Sequence, residues 1–241
     1  MASEPFSALG PQAARFLALA AAFAAGCRAA PERPAIPHAQ LAAGPHEVAV
    51  LSLHDLGAIE IELLPEIAPA TVENFKRLAA EGFYDGTTFH RVLPGLLIQG
   101  GDPNTRNNDP RDDGEGGPEY TIPDEFTDWP QRRGTVSMAH KGERDTAGSQ
   151  FFILIGDAPD LDGSYAAFGR IVSGMDVVES VTRLQIDKFG RYGPPDRPYP
   201  VSAVVDSVQI RPATGATAPG AAAPTATAAS LRALDPLPAG G

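Results

Sequence analysis

The sequence predicts a mainly β fold, an antiparallel β-barrel that is closed or nearly closed and capped by two α-helices. Three observations carry this. Short β-rich runs recur between turn-forming clusters from 46 to 211. Only two stretches there have helical periodicity, one near each end. The flanking chain is too poor in large apolar residues to extend a core.

Residues 48–53 and 58–63 flank the turn cluster His54-Asp55-Leu56-Gly57 and should form a hairpin. In its second arm Ile59, Ile61 and Leu63 alternate with Glu60 and Glu62, giving one buried and one wet face. Pro69 suits a first helical turn, Val72, Phe75, Leu78 and Ala79 share one helical face, and Gly82 suits the position past the end. Further β-type runs fall at 88–93, 96–99, 135–139, 150–155, 166–171 and 201–210, with a second helix at 175–183. Residues 101–130 hold nine acids against Arg106 and Arg111 and are expected to be a solvated acidic surface loop.

Charge and composition remove several function classes. Thirty Asp+Glu against 19 Lys+Arg give a formal net charge of −11, which repels a phosphate backbone, so no nucleic-acid partner is expected. The single cysteine, Cys27, rules out an internal disulfide and any Cys-x-x-Cys metal or redox site. An EF-hand starting at Asp109 would place Arg111 and Tyr120 at ligand positions. His90 and His140 have no ligand partner at helical spacing, and Gly148-Ser149-Gln150 leads into a strand where a nucleophile elbow would lead into a helix. No phosphate-cradling glycine motif is present, so neither metal nor cofactor is expected.

At the N-terminus, Arg15 precedes an apolar run too short to span a bilayer, which ends in Ala24-Ala25-Gly26-Cys27. This resembles a secretion signal ending in the lipobox of bacterial lipoproteins. Residues 1–27 are therefore expected to be a signal peptide with Cys27 as the lipidation site, 28–45 an Ala/Pro-rich linker, 46–211 the folded domain and 212–241 a disordered tail. The resulting localisation is exported and periplasmic, anchored to a membrane through lipid.

Within the domain, Arg91 stands in an apolar β-type run that ends at Gln99, and period 2 puts Gln150, Phe152 and Leu154 on one face with Phe151 and Ile153 on the other. If the second face fills the barrel, the first presents an exposed phenyl ring flanked by an arginine and two glutamines. That is a plausible peptide groove, but these features alone favour an ordinary core phenylalanine beside an ion-paired arginine.

The stretches Phe89-His90-Arg91-Val92-Leu93-Pro94-Gly95, Gln99-Gly100-Gly101-Asp102, Ser137-Met138-Ala139, Gly148-Ser149-Gln150-Phe151-Phe152-Ile153, Leu161-Asp162-Gly163 and Phe168-Gly169 resemble the cyclophilin-type peptidyl-prolyl cis-trans isomerases. The resemblance implies a closed eight-stranded antiparallel barrel with two capping helices, and isomerisation of X-Pro bonds in proline-containing polypeptides. It implies Arg91 and Gln99 as catalytic residues, and Leu96, Leu97, Phe152 and Leu161 around the proline pocket. Ala139 and His140 fall at the strand edge that pairs with substrate, Gln150 is a second pocket glutamine, and Tyr165 stands where many members have histidine. Leu96 replaces the usual phenylalanine of the pocket wall, and Asp160 replaces a tryptophan, which should weaken cyclosporin-like binding. A monomer is expected. A module that holds proline-containing segments without turnover remains open as the alternative.

Overall fold

A computed structural model describes residues 46–107, 109–191, 194–198 and 202–212. The signal-like segment with Cys27, the linker before His46 and the tail beyond Pro212 lie outside the described residues.

The hairpin forms as expected from β1 (Glu47–Leu53) and β2 (Gly57–Leu63), paired from Leu53↔Gly57 to Val48↔Glu62. Ile59 and Ile61 are fully buried while Glu60 and Glu62 are half-buried on the other face. The remaining strands are β3 (Arg91–Leu93), β4 (Leu97–Gly100), β5 (Thr135–Met138), β6 (Phe151–Leu154), β7 (Ala166–Ser173) and β10 (Val205–Pro212). Together with β1 and β2 they make one eight-stranded antiparallel sheet, in the order β10-β1-β2-β7-β5-β6-β4-β3. A separate ribbon, which the sequence pattern did not announce, pairs β8 (Ile186–Asp187) with β9 (Arg197–Pro198).

The expected closure of the barrel is corrected to an open, curled sheet. Among the described residues its two end strands share no ladder: the chain before β3 meets the start of β10 through the isolated bridge Thr88↔Val204 and the backbone hydrogen bonds Gly86 N–H to Val205 O, Val205 N–H to Thr87 O and Phe89 N–H to Ala203 O, none of which involves β3. Ala203, next to that bridge, has φ of 57°, a left-handed conformation that turns the chain out of the extended geometry a ladder needs.

One face of the sheet carries the main core. Phe151 stands at its centre, with Phe75, Tyr84, Phe89 and Phe168 around it at centroid distances of 5.7, 5.8, 6.1 and 6.4 Å and near-perpendicular ring planes, a favourable edge-to-face arrangement. Phe75 comes from α1 (Pro69–Ala80), which packs on β10 and β7; α2 (Met175–Thr182) packs on β2, β3 and β4.

The acidic segment 101–130 is also corrected. It contains two 3-10 turns, Pro103–Arg106 and Pro110–Asp112, and three of its acids, Asp102, Asp113 and Glu125, are buried. Burial is tolerated because these carboxylates meet backbone donors or a cation. Residue Ala68, before α1, has no capping side chain; Glu125 does the work from a distance, accepting from the N–H of Ala70 at 3.1 Å and of Thr71 at 2.8 Å. The carboxylate also faces the positive end of the helix dipole. Replacing it (Glu125→Ala) leaves two donors without a partner and should cost about 1–3 kcal/mol in urea unfolding, with Glu125→Gln milder.

Candidate active site

A line of facing residues crosses four strands. Arg91 on β3 opposes Gln99 on β4, Gln99 opposes Phe152 on β6, and Phe152 opposes Ser137 on β5. Directly opposed residues project to the same side of a sheet. Their neighbours Val92, Ile98, Ile153 and Val136 are fully buried on the other side, in the main core, so the line lies on the outer face. The β3–β4 turn fixes this register: Pro94 and Gly95, with φ of 82° at the glycine and Leu96 N–H donating to the Leu93 carbonyl at 3.0 Å, make a type II turn.

Exposure falls steeply along the line. Arg91 is exposed, Gln99 half-buried and Phe152 only 3% exposed, so the phenyl ring expected to be exposed is instead the floor of a second apolar cluster. Leu97, Leu154 and Ala158 are buried with it; Leu93, Ala139, Leu161 and Tyr165 border it. Tyr165 stands edge-on to Phe152, with centroids 5.1 Å apart at 90°. The His140 ring lies 4.8 Å from that of Tyr165. Its Nε2 is 3.2 Å from the Ser164 carbonyl and its Nδ1 is 3.1 Å from the Gly142 N–H, a pattern that assigns the neutral tautomer with the proton on Nε2. Burial raises the pKa of the Tyr165 phenol, and the nearby Arg91 charge opposes it. Leu96 departs from expectation: it is 38% exposed at the turn and outside the apolar cluster, while Asp160 is exposed.

Arg91 has no carboxylate within ion-pair distance among the described residues. Its neighbour Gln99 donates through Nε2 to Gln150 Oε1 at 3.0 Å, and Gln150 donates in turn to the carbonyls of Gly114 and Gly116, both at 2.9 Å. That glycine loop is pinned by fully buried Asp102, which accepts from the N–H groups of Asn104, Gly114 and Gly116. A Cβ at Gly116 would lie 2.1 Å from Asp102 Oδ1, so only glycine fits there. A hollow of about 380 Å³ between Trp129, Arg132, Arg133 and Arg170 shares none of these residues, and Asp162, Glu179 and Glu62 engage its three guanidiniums.

The residues missed in the sequence are those behind the line. His90 is buried with neither ring nitrogen hydrogen-bonded; burial first, then the charges of Arg91 and Arg197, lower its pKa to about 4. Asp113 and Arg197 form a buried ion pair, and burial, partly offset by Arg197, raises the Asp113 carboxyl to about 6. Their effects on stability oppose each other. Between about pH 4 and 6.5 the unfolded chain protonates His90 while the folded protein does not, so stability rises with pH. Between 3.8 and about 6 the folded protein keeps a proton on Asp113 that the unfolded chain has released, so stability falls with pH. The stability difference, wild type minus Asp113→Asn, should therefore decline across that second window by about 3 kcal/mol, as measured by urea unfolding at each pH.

Comparison with known proteins identifies the family. The sequence profile of the family described as cyclophilin type peptidyl-prolyl cis-trans isomerase matches residues 48–206. Peptidyl-prolyl cis-trans isomerase B of Bacillus subtilis (strain 168) is 46% identical over 138 residues, covering 56% of this chain and 91% of that protein. A probable peptidyl-prolyl cis-trans isomerase of Brucella suis is 41% identical over 161 residues, covering 65% and 82%. Among solved structures, a Cryptosporidium parvum cyclophilin-type isomerase, crystallised in the presence of the dipeptide Ala-Pro, superposes with a TM-score of 0.59 at 29% identity, covering 68% of this chain and 98% of that one. The chain belongs to the cyclophilin-type peptidyl-prolyl cis-trans isomerases and catalyses the cis-trans interconversion of X-Pro peptide bonds.

Proposed function

We propose that Arg91 is the catalytic group, that Phe152, Leu97 and Leu161 receive the proline ring, and that the enzyme assists folding of envelope proteins from a lipid anchor on Cys27. The observation that carries the site assignment is the Arg91 guanidinium, without an ion-pair partner among the described residues, in line with the buried Phe152 ring and with Gln99 between them.

Rotation about a peptide bond faces about 18–20 kcal/mol because resonance gives C–N double-bond character. No nucleophile, base or metal is needed to lower that barrier; the resonance has only to be weakened. In the twisted transition state the prolyl nitrogen becomes pyramidal and gains a free lone pair, to which Arg91 donates a charge-assisted hydrogen bond that is weaker in the planar ground state. The apolar cluster holds the pyrrolidine ring out of water. Gln99, whose amide NH₂ is committed to Gln150, offers its carbonyl oxygen to a substrate N–H, and the chain at Ala139 and His140 steadies the flanking peptide so that one side turns against the other. The Ala-Pro dipeptide used with the Cryptosporidium relative supports a prolyl residue as the occupant.

The envelope role rests on the signal-like segment and the small residues before Cys27. A fatty-acid analogue fed to cells should label the wild-type protein and spare Cys27→Ser. An unlabelled wild type rejects the anchor while leaving the enzyme assignment intact.

A further inference from the structure

We infer that the buried Asp113–Arg197 ion pair is a positioning pair for the isomerase centre, tying the backbone that holds Gln150 and Gln99 to the backbone that holds the strand of Arg91. The inference rests on the roles given above to Arg91 and Gln99.

Both partners are 4% exposed, and Arg197 Nε meets Asp113 Oδ2 directly, so the contact is a buried one between opposite charges. Each partner is adjacent in sequence to a residue that anchors one half of the site. Asp113 precedes Gly114, whose carbonyl accepts from Gln150 and whose N–H is held by Asp102. Arg197 follows Asp196, whose carbonyl accepts from the Val92 N–H at 2.7 Å. Val92 is the residue after Arg91, in a three-residue strand that ends the sheet and is paired on one side only, with β4. The Asp196 contact is thus a backbone hydrogen bond on the unpaired side of β3, and the ion pair couples it to the glycine loop. His90 lies beside Gly114, where a Cβ would come within 3.8 Å of its Nε2, and feels the charges of both Arg91 and Arg197.

A buried pair is poor evidence for stability, since an apolar pair of similar volume often serves as well. Fixing geometry is a different task, and a misplacement of about 1 Å at a reacting group can cost up to about 100-fold in rate. Asp113 faces Arg197 from β9 and Asp102 and Asp112 from its own loop, while His90 faces Arg91 and Arg197. Acidification through about pH 6 therefore discharges Asp113 while His90 is still neutral.

The test is an NMR exchange assay on a proline-containing peptide between pH 5 and 8, giving kcat and KM together with Tm, for wild type, Asp113→Asn, Arg197→Met and the double variant Asp113→Leu/Arg197→Met. Each single variant should lose about tenfold in kcat, with KM within about twofold. Wild-type kcat should fall below pH 6, and that acid limb should be absent in Asp113→Asn. The double variant should regain Tm without regaining kcat. A double variant that recovers both, a wild-type kcat flat across the range, or a folded Asp113→Asn with full kcat would each overturn the inference. If a single variant does not fold, the wild-type profile and the double variant decide. Arg91→Ala, run alongside, separates the two claims: full activity there overturns the Arg91 assignment, whereas lost activity there with fully active pair variants overturns the positioning role alone.

Discussion

Arg91→Ala is expected to lower kcat/KM by about 10²–10³-fold while leaving Tm within a degree or two of wild type. Removing one preorganised donor aimed at transition-state charge typically has an effect of that size. Stability is spared because the side chain is exposed and has no ion-pair partner among the described residues, so its truncation opens no cavity and strands no charge. Arg91→Lys should resemble the alanine variant more than wild type, because an ammonium lacks the planar fork that addresses a nitrogen and a neighbouring oxygen together. A protease-coupled assay on a proline peptide measures this, and an alanine variant retaining more than half the wild-type rate would refute the assignment.

Phe152→Ala should do the reverse, raising KM steeply and removing about 3–5 kcal/mol of stability. The ring is the floor of the outer apolar cluster and supports the edge of Tyr165, which in turn lies against His140. Deleting it leaves a cavity where the substrate's proline should find a wall, so both folding and binding lose apolar contact. Phe152→Leu should cost less than about 1.5 kcal/mol if the cluster repacks, and KM should follow the lost volume. Urea unfolding and substrate-dependence of the rate check the two halves separately. The contrast is informative: a defect in turnover at Arg91 and in affinity at Phe152 is what a line running from an exposed cation to a buried ring requires.

The hairpin, both helices and the face shared by Gln150, Phe152 and Leu154 could be read in the chain because each follows a local period, two for strands and 3.6 for helices, whereas the grouping of Arg91 and Gln99 with Phe152 comes from the family resemblance. Depth could not be read. Phe152 is buried by Tyr165 and Leu161, which arrive from other parts of the chain, and no period encodes that. The acids of 101–130 misled for the same reason. A carboxylate reads as solvated until its partner is known, and Glu125 finds its donors 55 and 54 residues away at Ala70 and Thr71. Asp102 appeared within a family motif without an assigned task; only the fold shows it holding Gly114 and Gly116. The open edge of the sheet turns on a left-handed backbone at Ala203, a conformation that residue type does not announce. The β8–β9 ribbon is two residues per strand and includes Pro198, too short to show alternation.

Asp102 and Gly114 meet at the base of the intervening segment, which makes 103–113 an Ω-like excursion whose two ends are stapled together. Thr105 and Arg106 are tied to Thr88, Asp85 and Phe83, so the room to vary in length lies after Arg106 and before Asp113, where doubling the stretch should add only about 0.6 kcal/mol of closure entropy. The excursion is a natural grafting position, where new sequence can be hung beside the substrate groove without disturbing the residues that perform the isomerisation.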